Sequence, residues 1–217
     1  MPISFPISQF FTDAAAGQLP AVAFIDPRFE GEEQGTTNDD HPHADIRAGE
    51  FFLNQIYTAV VTSPNWSSTV LVINYDEWGG FFDHIPPPIA PVPRATKVAG
   101  IAEGLDVNSR DFGLLGFRVP NVLISPFAKR GFISRDRFDH TSILKMIEWR
   151  FGLAPLTVRD RTADNLAEVL NFHQSSTAYN TYTVPLVASL PCPVQIGGVA
   201  EDEFTALGDV ARSLGFP

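Results

Sequence analysis

The chain has 217 residues, 44% of them hydrophobic and 18% charged, with a formal net charge of −10. That length reads as one domain or slightly more, and the composition is globular, which excludes disorder and collagen-like structure and needs no disulfide or zinc staple. The acidic balance repels a polyanion and argues against a nucleic-acid partner, yet leaves a small phosphate ligand open, because a bound cation inverts the local sign.

In chain order, Ala21–Asp26 (AVAFID) is a short apolar run closed by Asp-Pro and predicts a buried strand. The polar stretch from Pro27 to Asp40 predicts a loop. Asp45 is placed to cap a helix over Ile46–Val61, where Phe52, Ile56 and Val60 recur at helical spacing until Pro64 and Asn65 stop it. Thr69–Tyr75 (TVLVINY) is β-branched and apolar nearly throughout, the pattern of a strand covered on both faces, as in a parallel sheet. Residues 76 to 111 read as one long loop, a length that in a compact domain is functional or mobile. Val119–Ser125 (VPNVLIS) predicts the next strand, with Val119–Ile124 lying parallel beside Thr69–Tyr75. Asp139 can then cap a helix through Phe151 that ends at Gly152. Thr162–Leu170 predicts a further helix, and Ala200–Leu214 a last one in a tail that begins near residue 175.

Alternating helices and apolar strands imply an α/β layered fold with a mostly parallel sheet. Ligands in such sheets sit at the carboxyl ends of the strands, here after Ile25, Tyr75 and Ile124. Four of the five histidines stand near carboxylates, in Asp40-His41-Pro42-His43-Ala44-Asp45, Asp83-His84 and Asp139-His140, and Asp76-Glu77 directly follows the most strand-like segment. Carboxylate oxygen and imidazole nitrogen suit a divalent cation, and Gly79-Gly80 lets backbone approach a ligand. Each feature also has an ordinary reading. Asp139 serves equally as a helix cap, and an Asp after a strand is often only a turn residue.

Other chemistries fail on residue type. The chain has no G-x-S-x-G elbow, no P-loop, no H-E-x-x-H and no dinucleotide glycine fingerprint. Cys192, the single cysteine, has no partner for an internal disulfide and sits between two prolines without a nearby His. No apolar run approaches the roughly 20 residues of a membrane span, so no transmembrane segment is expected. The opening MPISFPISQFF lacks the basic and apolar regions of a secretory signal.

Four segments resemble the phosphoesterase family. They are Asn38-Asp39-Asp40-His41-Pro42 with Asp45, the run VINYDEWGGFFDHIPPP from Val72 to Pro88, Arg118-Val119-Pro120 through Leu123-Ile124-Ser125-Pro126, and Phe138-Asp139-His140-Thr141-Ser142-Ile143. That family holds non-specific phospholipases C and related acid phosphatases within the alkaline phosphatase superfamily. The resemblance therefore implies a hydrolase of phosphate esters with a three-layer α/β/α alkaline-phosphatase-like fold, incomplete here on the N-terminal side. It places the catalytic pocket on His41, Asp76 and His84, with Glu77 beside them, and a divalent metal ion on Asp139 and His140. His41 rather than His43 falls on the phosphate-contacting position. These residues are expected to converge at the strand ends, with His173 outside on the surface. The implied substrate is a small phosphoester or a phospholipid headgroup, and members of the family are often exported.

The resemblance also implies a longer protein. The family's Glu-Asn-x-Ser-Phe-Asp metal motif and its nucleophile do not occur in the 217 residues. The chain thus reads as residues 1–174 from the C-terminal part of a phosphoesterase domain, followed by the tail 175–217. It is expected to be inactive alone, in want of an N-terminal half. The alternative reading is a remnant that binds metal or phosphate without turnover.

Overall fold

A computed structural model describes residues 4–31, 36–42 and 44–185. The chain is mixed α/β and divides into two units, one with the described residues of Met1–Leu71, Gly79–Phe81 and Thr177–Pro217, the other with Val72–Trp78 and Phe82–Ser176.

The first unit is built on two helices. Helix α1 (Ile7–Ala16) buries Phe10 and Ala14, four residues apart and so on one face. Helix α2 (Ile46–Val61) starts where the sequence predicts: Asp45 caps it, accepting from the Arg47 backbone N–H at 3.1 Å. Its Phe52, Ile56 and Val60 form the buried stripe, joined by Val61. Buried Trp66 follows in a 3₁₀ turn (Trp66–Ser68). Hydrogen bonds from Asn65 Nδ2 to the Gly17 carbonyl (2.8 Å), from Trp66 Nε1 to Thr177 O (2.9 Å) and from the Tyr57 hydroxyl to Asn180 O (2.7 Å) tie the ends of the unit to α2 and the turn that follows it.

Ala21–Asp26 is not a strand. Phe24 is 74% exposed and Val22 is also exposed, so the run finds no ladder partner among the described residues. An apolar run supplies only half of a strand; the other half is a neighbour far away in sequence.

In the second unit β1 (Leu71–Asn74) and β2 (Asn121–Ile124) pair as the sequence predicts, but antiparallel rather than parallel. The register follows from two bonds: Tyr75 N–H donates to Pro120 O (3.3 Å), and Asn121 Nδ2 donates to Asn74 Oδ1 (2.8 Å). The expected mostly parallel sheet is therefore replaced, among the described residues, by one two-stranded antiparallel pair. Neither strand is covered on both faces: β1 is half-buried along its length and β2 opens with two exposed residues. Apolar continuity signals a strand, but it does not encode the direction of its partner.

The stretch 76–111 is not one loop, since α3 (Arg94–Ala102) lies within it, preceded by Pro93 at the N-cap. The Pro-rich segment before it pairs with residues 113–115 through Ala90 N to Gly113 O and Leu115 N to Pro88 O, both 2.8 Å. Helix α4 (His140–Phe151) matches the predicted bounds, capped by Asp139 and closed at Gly152 in the left-handed conformation. The predicted helix Thr162–Leu170 is instead the end of a short helix, α5 (Val158–Thr162), followed by a 3₁₀ turn (Leu166–Val169). Ala163 and Asn165 between them adopt extended dihedrals, with Asn165 capping the second turn. Helix α4 packs on both α5 and that turn, where Leu166, Ala167 and Leu170 are buried. The predicted helix Ala200–Leu214 and Cys192 lie outside the described residues, as does His43.

Gly49 positions the segment that precedes α2. A β-carbon there would fall 2.3 Å from Asp40 Oδ1 and 2.9 Å from the Asp39 carbonyl oxygen. Alanine would gain about 1 kcal/mol of helix propensity, but the close approach involves backbone and cannot be relieved by one flexible side chain. We expect Gly49→Ala to destabilise the chain by about 1–2 kcal/mol net, as overpacking does, and to shift the amide resonances of residues 39–41. Chemical denaturation with an amide spectrum checks this; a stabilised variant with unmoved resonances would show that the loop does not rest on α2.

Candidate active site

Where β1 ends, the chain turns through Asp76-Glu77-Trp78-Gly79-Gly80, and both glycines hold left-handed φ, 62° and 78°. The Asp76 carboxylate is exposed and accepts from the Glu77 backbone N–H at 3.1 Å. Trp78, Phe82 and Phe117 form a triangle of rings with centroids 5.1–5.7 Å apart. Beside it Arg118 grips Asp83 in a two-point fork, Nε to Oδ2 at 2.5 Å and Nη2 to Oδ1 at 2.8 Å. The aromatic triangle and the fork together pin the loop after β1 to the residues that lead into β2.

His84 rests on this fork rather than in a cleft. Its Nδ1 stands 3.2 Å from Asp83 Oδ1, and its side chain is 84% exposed. The hydrogen bonds from Arg118 hold the Asp83 carboxyl well below the usual carboxylate range, helped by the Ile85 N–H and the Arg118 charge against a burial effect that raises it.

The second half of the site is the start of α4. Asp139 Oδ1 accepts from the Thr141 backbone N–H (2.7 Å) and its hydroxyl (2.5 Å), while the Asp139 N–H donates to Ser142 Oγ (3.1 Å), closing a capping box. The other oxygen, Oδ2, takes Arg159 Nη2 from α5 at 3.3 Å. Asp139 is thus the cap that its position after Phe138 allows. The cap directs His140, whose Nε2 lies 3.0 Å from the Tyr75 carbonyl oxygen at the end of β1. A ring nitrogen meeting a carbonyl must be the protonated one, which leaves the lone pair of the neutral ring on Nδ1.

In the first unit His41 belongs to a tight turn. Thr37, fully buried, donates its hydroxyl to Asp39 Oδ1 at 2.6 Å, and the His41 N–H donates to the same oxygen at 3.2 Å. Gly79, in this same unit, approaches the turn: a β-carbon on it would be 4.0 Å from Pro42 Cγ. The structure therefore brings His140 to the strand end that carries Tyr75 and Asp76, and leaves His84 on solvent. His173 is exposed, as expected.

The donor types suit a divalent cation only in part. His140 has the arrangement of a metal-binding histidine, with one ring N–H anchored on a carbonyl. Asp139 has both oxygens engaged, and no group of three or more His, Cys, Asp or Glu side chains comes together among the described residues. Sequence reasoning also missed Arg118 and Arg159. Arg118 was within the quoted motif, but its partner Asp83 is 35 residues away, and nothing local announces the pair.

The chain belongs to the phosphoesterase family, whose profile matches residues 2–154. It is similar to non-specific phospholipase C6 of Arabidopsis thaliana, 33% identical over 192 residues that make up 84% of this chain and 36% of that protein. Similarity to phospholipase C A of Mycobacterium tuberculosis is also 33%, over 193 residues, 84% of this chain and 35% of that one. Non-specific phospholipase C3 of Arabidopsis thaliana is 35% identical over 164 residues, 71% of this chain and 31% of its own length. The chain spans about a third of the length of these relatives.

The fork gives a titration test. A carboxyl whose folded pKa is depressed adds stability above its unfolded value, near 4 for Asp, and loses it as pH falls through the folded value. We expect carboxyl NMR to find Asp83 still ionised below about pH 4 and Arg118→Ala to return it toward the ordinary range. The stability gap between wild type and variant should shrink as the solution is acidified. An ordinary Asp83 titration in the wild type would show that the fork is not held in solution.

Proposed function

We propose that the protein to which these residues belong hydrolyses phosphate esters, with a phospholipid headgroup or small phosphoester as substrate. The observation that supports this reading is the similarity to proteins named phospholipase C over 84% of the chain, a span that includes both the Asp76–His84 loop and the start of α4. On this reading His41, Asp76 and His84 serve the phosphoryl group, and Asp139 and His140 are the metal contacts, completed by ligands beyond the described residues. A divalent metal in this chemistry polarises the phosphoryl oxygens and lowers the pKa of the attacking group.

The three-layer, alkaline-phosphatase-like fold belongs to the same proposal. It requires further strands, and β1 and β2 each keep an unpaired edge among the described residues. No helix among them is long and apolar enough to cross a membrane.

The nucleophile is the element the 217 residues do not supply on this reading. The Thr37 hydroxyl is buried on Asp39, and the Thr141 hydroxyl is committed to Asp139. Removing a covalent nucleophile costs several orders of magnitude in rate, since the groups of a catalytic unit act together. We therefore expect the 217-residue chain to release no p-nitrophenol above background from either p-nitrophenyl phosphate or p-nitrophenyl phosphorylcholine, with or without added divalent metal. Fusion to a segment bearing the family's Glu-Asn-x-Ser-Phe-Asp motif and nucleophile should restore release, and Asp139→Ala in the fusion should abolish it. The preferred ester separates a monoesterase from a phospholipase-type diesterase. Robust release by the 217 residues alone would overturn the assignment and make Thr36, Thr37 and Thr141 the first residues to replace.

A further inference from the structure

The contact between α4 and α5 holds a pair of carboxyl groups that the candidate site does not use. Glu148, on the inner side of α4, is 7% exposed, and both of its carboxyl oxygens are buried without a hydrogen-bond partner. Beside it Asp160 is 1% exposed. Its carboxylate accepts from three donors: the Leu156 N–H to Oδ2 (2.5 Å), the Thr157 N–H to Oδ1 (2.8 Å) and the Thr157 hydroxyl to Oδ1 (2.6 Å). Those bonds support a charge on Asp160 and give Glu148 none.

Two carboxylates have no donor between them, so they cannot satisfy each other while both are ionised. A protonated carboxyl can donate to an ionised one, and the proton belongs on the partner with fewer donors, which is Glu148. We propose that Glu148 stays protonated in the folded chain and donates its proton to Asp160, and that this shared proton is a pH-sensitive latch holding α5 on α4.

The charges facing the pair are few. On α4 itself Lys145 stands about one turn before Glu148, its ammonium bonded to the Arg161 carbonyl at 3.0 Å. On α5 the neighbouring Arg159 turns to Asp139 instead. The 3₁₀ turn packed on α4 presents Leu166 and Ala167, and its Glu168 is exposed. Burial, then the hydrogen bond and charge of Asp160, push the Glu148 carboxyl up, and Lys145 and the Leu156 N–H oppose them. For Asp160 burial acts upward, but the bonds from Thr157, Glu148 and Leu156 outweigh it and hold the carboxyl well below its usual range.

The signs define a window. A raised folded pKa at Glu148 contributes stability at acid pH that is lost as pH rises through the folded value; the depressed Asp160 loses its contribution only as pH falls through its own low value. The latch therefore holds under mildly acidic conditions and weakens toward alkaline ones. Because Arg159 on α5 touches Asp139, opening the latch would also loosen the start of α4.

The test compares the thermal unfolding of the 217-residue chain with that of Glu148→Gln across about pH 4 to 8. The amide donates to Asp160 as the acid does, but it does not titrate. We expect the wild-type midpoint to fall relative to the variant between the ordinary glutamate value and the raised folded value, by about 3 °C per pH unit for a chain of this length, and to run level with it above that. Parallel profiles would overturn the proposal. Should the variant not fold, carboxyl NMR of the wild type decides. Titration of Glu148 above the ordinary glutamate range, moved down by Asp160→Asn, supports the shared proton, and titration at the ordinary value refutes it.

Discussion

The candidate site depends on what one carboxylate does at the start of α4. Asp139 spends one oxygen on the Thr141 amide and hydroxyl and the other on Arg159, so a single side chain both begins the helix and ties it to α5. An orphaned first turn would otherwise leave its N–H groups without partners. The direction of α4 in turn sets where His140 points, and it points at the last carbonyl of the β1 segment. Cap, helix and histidine therefore form one chain of cause. The loop after β1 is held by different physics: an aromatic triangle and an arginine fork, both exposed in part and both joined to the residues before β2.

That dependence constrains how the site can bind a cation. The cap occupies Asp139 Oδ1, so a metal would meet Oδ2, which takes only Arg159 at 3.3 Å, whereas His140 has its Nδ1 lone pair to offer once Nε2–H is on the carbonyl. The first unit shows a similar economy of contact. Asp39 organises the His41 turn through Thr37 and the His41 amide, and it fits against α2 because residue 49 has no side chain.

What the sequence disclosed is what local chemistry controls. Asp45 and Asp139 announce their helices because a carboxylate ahead of an apolar 3.6-residue repeat has a short-range task, and Gly152 marks an end for the same reason. The phosphoesterase resemblance followed from contiguous motifs. The misses were non-local. Strand direction is decided by pairing across about 50 residues, so VLVIN and NVLI look alike whether parallel or antiparallel. Ala21–Asp26 had the composition of a strand and no partner. Helix α3 hid behind a Pro-rich lead because its exposed face blurs the apolar repeat. The Glu148–Asp160 pair left a readable trace in Thr157-x-x-Asp160, a capping-box spacing, and in Glu148 four residues after Leu144 on the packed side of α4. Only the fold shows that the two carboxyls meet.

The central claim is that the Asp139 cap fixes His140 with Nε2 protonated on the Tyr75 carbonyl. Long-range nitrogen–proton NMR of the His140 ring, in the wild type and in Asp139→Asn and Asp139→Ala, measures this directly. Asparagine caps a helix about as well as aspartate, and alanine does not. The account predicts the Nε2–H tautomer in the wild type and in Asp139→Asn, and a mixed or fast-exchanging ring in Asp139→Ala. An Nδ1–H tautomer in the wild type, or a ring unaffected by Asp139→Ala, would contradict it.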